Sequence, residues 1–156
     1  MRAWRITKRK YAEAAFEGFG ARIAGGRWNS AGRSVVYLGG TPAIAALEVL
    51  VHDQSGEVLE ESYVIIPVDI PDESVLELSK DALPKGWAAP HDYTLTQRLG
   101  DEWFDTQASL ALRVPSAVVP LEYNVILNPS HPDMQRVEIK DAQAFVFDER
   151  LRPNSS

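Results

Sequence analysis

Short apolar, β-branched runs recur along the chain, and this pattern most constrains its fold. Such runs predict strands, which outnumber the segments with helical spacing and do not alternate strictly with them. This order favours an α+β fold, a single domain with a split, mostly antiparallel sheet and a few helices, over a doubly wound parallel sheet. The predicted strands span residues 3–6, 34–39, 62–71, 74–78, 116–120 and 123–129, followed by a hairpin or meander pair in QRVEIKD and QAFVFD.

The segment that begins at Thr41 is the clearest predicted helix. Thr41 is a favourable N-cap, and Pro42 occupies the first turn, which tolerates proline. Two further helices are predicted over 11–20 and 95–112, the second broken or kinked near Gly100. The apolar face of the helix after Thr41 is predicted to contain Ile44, Leu47, Leu50 and Val51.

Length and composition indicate one domain. A chain of 156 residues, 45% hydrophobic and 24% charged, is long enough to bury a core without covalent staples. We predict a domain over 1–150 and a polar, disordered tail over 151–156. Cysteine is absent, which excludes disulfides and thiolate metal sites and suits a reducing cytoplasm.

Net charge and hydropathy argue against two classes of partner. The formal net charge is −6 and the basic run is short, residues 8–10, so direct nucleic-acid binding is not expected. No segment approaches the roughly 20 apolar residues that span a membrane, and the N-terminus lacks an apolar signal region. We therefore expect a cytoplasmic protein with no membrane contact.

The loop GGRWNSAG, residues 25–32, carries more chemistry than a connection needs. Its glycines let a ligand approach closely, and the guanidinium of Arg27 fits a pyrophosphate or a carboxylate. Arg27 can equally pair with a structural carboxylate, and Trp28 can be a core or lid aromatic. The long loop over 79–92 is a second candidate for function.

Glu48 falls at the edge of the apolar face of its helix, where a side chain is half-buried and points across the sheet. Its simpler interpretation is a border carboxylate that pairs with a cation. Tyr37 shares a strand face with Val35 and can be pure core. Ser116 lacks the G-x-S-x-G context of a hydrolase nucleophile, and the histidines lack metal-ligand spacing, so no metal site is expected. Together these residues favour an anionic, ribose-bearing ligand without naming it.

The run GGRWNSAGRSVVYLGGTPAIAALEVLVH, residues 25–52, resembles the signature of the RES-domain toxin family. The arginine, glutamate and serine of the family name match Arg27, Glu48 and Ser116, and the VVY segment supplies Tyr37. The resemblance covers nearly the whole chain, because further agreement is found in the opening WRI, in PKGW and in EYNVILNPSHP.

The resemblance implies a toxin of a bacterial toxin–antitoxin pair, similar in fold to ADP-ribosyltransferases, that uses NAD+ as its substrate and needs no separate cofactor. Such a toxin cleaves the nicotinamide–ribose bond and depletes NAD+, as a glycohydrolase or a phosphorylase. The implied partner is a helix-turn-helix antitoxin that blocks the active site, in a complex where the toxin self-associates as a homodimer. The residues carried over are Arg27, Tyr37 and Glu48 as catalytic groups, and Trp28, Asn29, Ser116 and Asn124 as substrate-binding groups.

Three other functions stay open. A protein ADP-ribosyltransferase would use the same site and differ only in its acceptor. An RNA-cleaving toxin is disfavoured by the net charge of −6. A non-catalytic module would bind a nucleotide in the cleft without releasing nicotinamide.

Overall fold

The computed structural model describes residues 1–53 and 56–151. Among these residues no helix has the length and apolar character that crossing a membrane requires. Of the predicted tail, Leu151 belongs to a 3-10 turn, and residues 152–156 lie outside the described ranges. The helices are α1 (Phe19–Ala24), α2 (Pro42–His52) and α3 (Thr94–Thr106), and the strands are β1 (Arg2–Lys8), β2 (Val36–Gly39), β3 (Tyr63–Asp69), β4 (Val75–Glu77), β5 (Ala111–Pro115), β6 (Tyr123–Leu127), β7 (Glu138–Ile139) and β8 (Gln143–Phe145).

The described strands join in one eight-stranded sheet. Its order is β4-β5-β6-β2-β1-β3-β7, and β8 also pairs with β3. The β4–β5 pair is parallel, whereas the other pairs in the described ranges are antiparallel. The predicted α+β class with a mostly antiparallel sheet is confirmed.

The predicted helix over 11–20 is wrong. Arg9–Tyr11 form a 3-10 turn, irregular chain follows, and α1 begins later. Alanine and glutamate favour a helix locally, but packing decides this segment. Ala15 lies buried against Val64 and Ile66 of β3, so the segment serves as a cover for the sheet.

The boundary between the last helix and the following strand is also misplaced in the sequence prediction. Helix α3 ends at Thr106, whereas the sequence predicts its end at residue 112. The next residue, Gln107, has a left-handed φ of 49° and stops the helix. The next apolar run forms β5, which lies between β4 and β6. The strand predicted over 116–120 is therefore wrong, and Ser116 follows a strand instead of opening one.

The predicted hairpin near the C-terminus is wrong as well. Strand β7 pairs with Val68 and Asp69 of β3, and β8 pairs with Tyr63–Ile65 of the same strand. Strand β3 is long enough to accept both short strands end to end, so they extend one edge of the sheet rather than pair with each other in the described residues.

The two faces of the sheet have different covers. Side chains of Tyr37, Ile126 and Leu112 share one face because these residues are direct cross-strand partners. This face packs against α3 and the buried Trp28 on one side and against α2 on the other. The opposite face, which includes Leu38 and Val125, packs under the segments that follow β3 and β6. Both α2 and the arginine-bearing loop therefore lie over the same face.

Gly100 does not kink α3, which runs unbroken over 13 residues. A Cβ atom built at Gly100 would lie 1.8 Å from the carbonyl oxygen of Trp28. The glycine is thus needed for close approach of the loop backbone to the helix rather than for flexibility.

We predict that Gly100→Ala destabilises the protein by about 3 kcal/mol, because the added methyl group must displace backbone rather than a mobile side chain. Urea unfolding of the purified protein measures this loss. Gly20→Ala is the control, since a Cβ there meets nothing within 4 Å. Equal unfolding midpoints for the two variants would contradict the close packing of the loop on α3.

Candidate functional site

Gly26 to Asn29 form a tight turn with Arg27 and Trp28 at its tip. Gly26 and Asn29 pair as an isolated antiparallel bridge, and the Gly26 N–H donates to the Asn29 carbonyl at 2.9 Å. The turn is also secured from inside by the Asn29 side chain. Its Nδ2 donates to three backbone carbonyls, those of Ala21, Ser30 and Arg33.

The guanidinium of Arg27 is half-buried and held by neutral groups. Its Nη1 donates to the carbonyls of Trp87 at 3.3 Å and Ala89 at 3.2 Å, and Nη2 donates to the Ala89 carbonyl at 3.3 Å. Its Cζ lies 4.5 Å from the centroid of the Tyr93 ring. Within the described ranges Arg27 has no carboxylate partner, and its Nε–H has no acceptor, so the charge is available to an anion.

Tyr37 connects this turn to the sheet. Its hydroxyl donates to Asn29 Oδ1 at 2.7 Å and accepts from the Trp28 N–H at 3.0 Å. Burial raises the pKa of Tyr37 well above its usual range, although the Trp28 N–H and the Arg27 charge act in the opposite direction. The hydroxyl is therefore neutral at physiological pH and fully used by the turn, which leaves the ring as the part available to a ligand.

Glu48 is held by an amide and a hydroxyl instead of a cation. Its Oε1 accepts from Asn124 Nδ2 at 2.7 Å and from Ser116 Oγ at 3.4 Å. Ser116 Oγ itself accepts from the N–H groups of Val118 and Val119, each at 3.1 Å. The Oε2 oxygen has no partner in the described part of the chain, so Glu48 is a fixed carboxylate with one free oxygen.

Sheet register brings the two clusters together. Tyr37 pairs with Ile126 and Gly39 pairs with Asn124 across β2 and β6. Tyr37 and Asn124 therefore lie diagonally on one face, where such positions are about 7–8 Å apart. Since Tyr37 holds the Arg27 turn and Asn124 holds Glu48, both groups border the same stretch of sheet.

Close packing of α2 on β2 aims Glu48 at the sheet. The helix begins as predicted, with the Thr41 side chain accepting from the Ile44 N–H and Pro42 in the first turn. Its inward face is centred on Ala45, since a Cβ built at Gly39 would lie 2.5 Å from the Ala45 nitrogen. The predicted inclusion of Val51 in this face is wrong, because that side chain is 55% exposed. Glu48 lies one turn beyond Ala45 and is half-buried, as predicted.

The structure separates the seven predicted site residues into two groups. Arg27, Tyr37, Glu48 and Asn124 keep part of their side-chain surface accessible. The other three have exposed fractions of 2% or less and support their neighbours from the interior: Trp28, Asn29 and Ser116. In the structure Asn29 Oδ1 accepts from the Tyr37 hydroxyl and Ser116 Oγ donates to Glu48, and the substrate contact predicted for the three residues stays a prediction.

Sequence reasoning missed a stripe of α3 that faces the Arg27 turn. Tyr93 lies against the guanidinium, Gln97 donates to backbone carbonyls of the turn, and Asp101 accepts from the Ser30 N–H at 2.9 Å. The spacing of four residues places Gln97 and Asp101 on one face of α3, and Tyr93 precedes them at the N-cap position. That spacing was visible in the sequence, but its target lies about 70 residues away along the chain.

Metal-ligand clusters and cavities are two other features that could mark a site in the described residues. In the described ranges no group of three or more His, Cys, Asp or Glu residues is placed to hold a metal ion. One cavity of about 610 Å³ lies along α3 and has Ser30, Gln97 and Asp101 in its lining, and another of about 330 Å³ lies near Met1 and Arg113. Neither of these two cavities is lined by Arg27 or Glu48.

Comparison with known proteins assigns the family. The family model described as RES domain matches residues 2–148. The chain belongs to the RES domain family. Toxin Res of Photorhabdus laumondii subsp. laumondii is 43% identical over 149 residues, which are 95% of each chain. Prs ADP-ribosylating toxin of Sphingobium sp. is 36% identical over 154 residues, covering 95% of this chain and 94% of that protein.

A solved structure agrees with the fold. A chain of the crystal structure of the M. tuberculosis MbcT–MbcA toxin–antitoxin complex superposes with a TM-score of 0.78 and 21% identity. The match covers 93% of this chain and 84% of that chain. The chain therefore shares the fold of this neighbour, and the family model over residues 2–148 gives its family.

We predict that Tyr37→Phe destabilises the protein by roughly 1–3 kcal/mol, because the Trp28 N–H and Asn29 Oδ1 both lose their partner. Thermal unfolding measures the change. Tyr11→Phe serves as the control, since Tyr11 is 55% exposed. A Tyr37 variant as stable as the Tyr11 variant would mean that the hydroxyl does not secure the turn.

Proposed function

We propose that this protein is the toxin of a toxin–antitoxin pair and cleaves the nicotinamide–ribose bond of NAD+. The observation that carries the proposal is the arrangement of Arg27 and Glu48 over one stretch of sheet. The first offers free donors to an anion, and the second offers a free carboxylate oxygen to a developing cation. A dinucleotide has both features, a pyrophosphate and a glycosidic carbon that becomes positive as nicotinamide leaves.

Glu48 acts on the ribose in this proposal. As the bond between the anomeric carbon and the nicotinamide nitrogen breaks, its electron pair stays with nicotinamide and positive charge develops on the sugar. A carboxylate already fixed by Asn124 and Ser116 stabilises that charge without reorganising. Water or phosphate then bonds to the anomeric carbon and gives up a proton, which yields ADP-ribose or its phosphate.

Arg27 binds the pyrophosphate, and Tyr37 presents its ring to the nicotinamide end. A guanidinium donates charge-assisted, forked hydrogen bonds to phosphate oxygens, which fixes register as well as adding affinity. Asn124 orients Glu48 beside this contact. Trp28, Asn29 and Ser116 act from the interior by holding these groups in place.

A protein acceptor is the alternative outcome of the same bond cleavage. The Sphingobium relative carries the name Prs ADP-ribosylating toxin at 36% identity, which supports transfer of ADP-ribose to a protein side chain. Radiolabelled NAD+ added to a cell lysate separates the outcomes: label on protein favours transfer, whereas free ADP-ribose favours NAD+ depletion. An RNA-cleaving function would require RNA loss after expression and is disfavoured by the charge of −6.

The proposed partner is an antitoxin that covers the site. The structural neighbour comes from a toxin–antitoxin complex, which supports a protein partner of this kind. We further propose that this antitoxin is of the helix-turn-helix type, that the toxin self-associates as a homodimer in the complex, and that the pair acts in the cytoplasm. Co-expression with the product of a neighbouring gene, followed by measurement of the mass of the complex, tests these points.

We predict that Glu48→Gln lowers the kcat for nicotinamide release by about 10²–10³-fold, because glutamine keeps the bond to Asn124 but carries no charge. Chromatographic measurement of nicotinamide gives the rate. Glu13→Gln, which changes an exposed carboxylate, is the control. Unchanged turnover by a folded Glu48→Gln protein would remove Glu48 from the mechanism.

We predict that Arg27→Ala raises the KM for NAD+ roughly 10–100-fold, since charge-assisted hydrogen bonds to the pyrophosphate are lost. Arg98→Ala, on the exposed side of α3, should leave KM unchanged. Steady-state kinetics and melting temperatures are measured for both variants. If Arg27→Ala lowers only the melting temperature, its role is to hold the carbonyls of Trp87 and Ala89.

A further inference from the structure

Gln97 contacts both ends of the turn that carries Arg27. Its Nε2 donates to the carbonyl of Gly26 at 2.9 Å and to the carbonyl of Asn29 at 3.3 Å. These two residues flank Arg27 and Trp28 and form the bridge that closes the turn. One amide group therefore spans the base of the turn from outside, while the side chain of Asn29 secures it from inside.

The N-cap residue of α3, Tyr93, and Asp101 within α3 contact the flanks of the same loop. One turn before Gln97, the ring of Tyr93 lies 4.5 Å from the guanidinium carbon of Arg27. One turn after it, Asp101 accepts from the Ser30 N–H and pairs with Arg33 at 3.2 Å. Gln97 is thus the central member of a stripe with contacts on the arginine, on the base of its turn and on the segment that follows.

Gln97 is suited to positioning, and the cavity of about 610 Å³ that it lines includes neither Arg27 nor Glu48. Gln97 is half-buried, its amide nitrogen is engaged by the two carbonyls, and it approaches backbone rather than the guanidinium. Two hydrogen bonds of the turn do not involve Gln97. The Gly26 N–H donates to the Asn29 carbonyl, and the Trp28 N–H donates to the Tyr37 hydroxyl. Loss of the amide therefore loosens the turn without unfolding the sheet.

We propose that Gln97 is a positioning residue, which fixes the base of the Gly26–Asn29 turn so that Arg27 is aimed at the anionic part of the substrate. This inference rests on the proposed function, in which Arg27 binds the pyrophosphate of NAD+. An arginine whose turn is held in one conformation loses less conformational entropy when the ligand binds. Removing the Gln97 amide therefore weakens binding of the substrate more than it slows the chemistry at Glu48.

The test replaces Gln97 by methionine, which has a similar length and no hydrogen-bond donor. Gln135→Met is the matched control, because it makes the same chemical change at an exposed position. We expect Gln97→Met to raise the KM for NAD+ about tenfold with kcat within about twofold of the parent. Gln97→Glu, which retains the shape of the side chain but places oxygens against the two carbonyls, should act in the same direction.

A second readout does not depend on turnover. Amide hydrogen exchange of Gly26 and Ser30, measured by NMR, should speed up about tenfold in Gln97→Met while amides of β2 and β6 keep their rates. Unchanged exchange, or faster exchange with an unchanged KM, would overturn the inference. Faster exchange throughout the sheet would also overturn it, since Gln97 would then be a residue of general stability.

Different results would contradict the proposed cleavage of NAD+ and the proposed positioning role of Gln97. If the parent protein released no nicotinamide from NAD+, the proposed function would be wrong, and the exchange measurement would still decide whether Gln97 fixes the turn. If the parent protein turned over NAD+ with the same KM as Gln97→Met, the function would stand and the positioning role would be excluded.

Discussion

The hydrogen bond between Asn124 and Glu48 joins the sheet to the helix that covers it. It forms only because β6 lies beside β2 in a register that sets Asn124 opposite Gly39, against which α2 packs. A carboxylate on a free helix surface samples several rotamers and gives little directed stabilisation to a reacting group. Bonded through Oε1 to an amide on a strand, Glu48 has a fixed orientation, and the position of Oε2 follows from that of the sheet.

The turn that carries Arg27 is held by tertiary contacts, whereas Glu48 is held by regular secondary structure. It contains no long regular element, and its conformation depends on contacts from three directions: its own asparagine, Tyr37 on the sheet and the polar stripe of α3. Gly100 permits this arrangement by letting the helix approach the Trp28 carbonyl. The site thus combines a carboxylate on rigid secondary structure with a guanidinium on a loop that tertiary contacts make rigid.

Local chemistry made part of this structure readable from the sequence. The Thr41 cap, the Pro42 start and the half-buried position of Glu48 depend on residues within a few turns of one another. The partners of Glu48 could not be read in this way, because Asn124 and Ser116 lie 76 and 68 residues away and their approach depends on strand register. The strand before Ser116 was misplaced for a related reason: SLALRVP fits a helix or a strand until β4 and β6 are known to flank it. Family resemblance supplied the grouping of Arg27, Glu48 and Ser116 that spacing alone did not.

The carbonyls of Trp87 and Ala89 around Arg27 have a consequence for affinity. A cation in a protein interior normally loses its hydration shell, and this desolvation free energy offsets much of the favourable free energy of pairing with an anion. Here neutral peptide oxygens replace part of that shell in advance. The positive charge of Arg27 is therefore kept partly dry, so less water has to leave the guanidinium when it pairs with an anion.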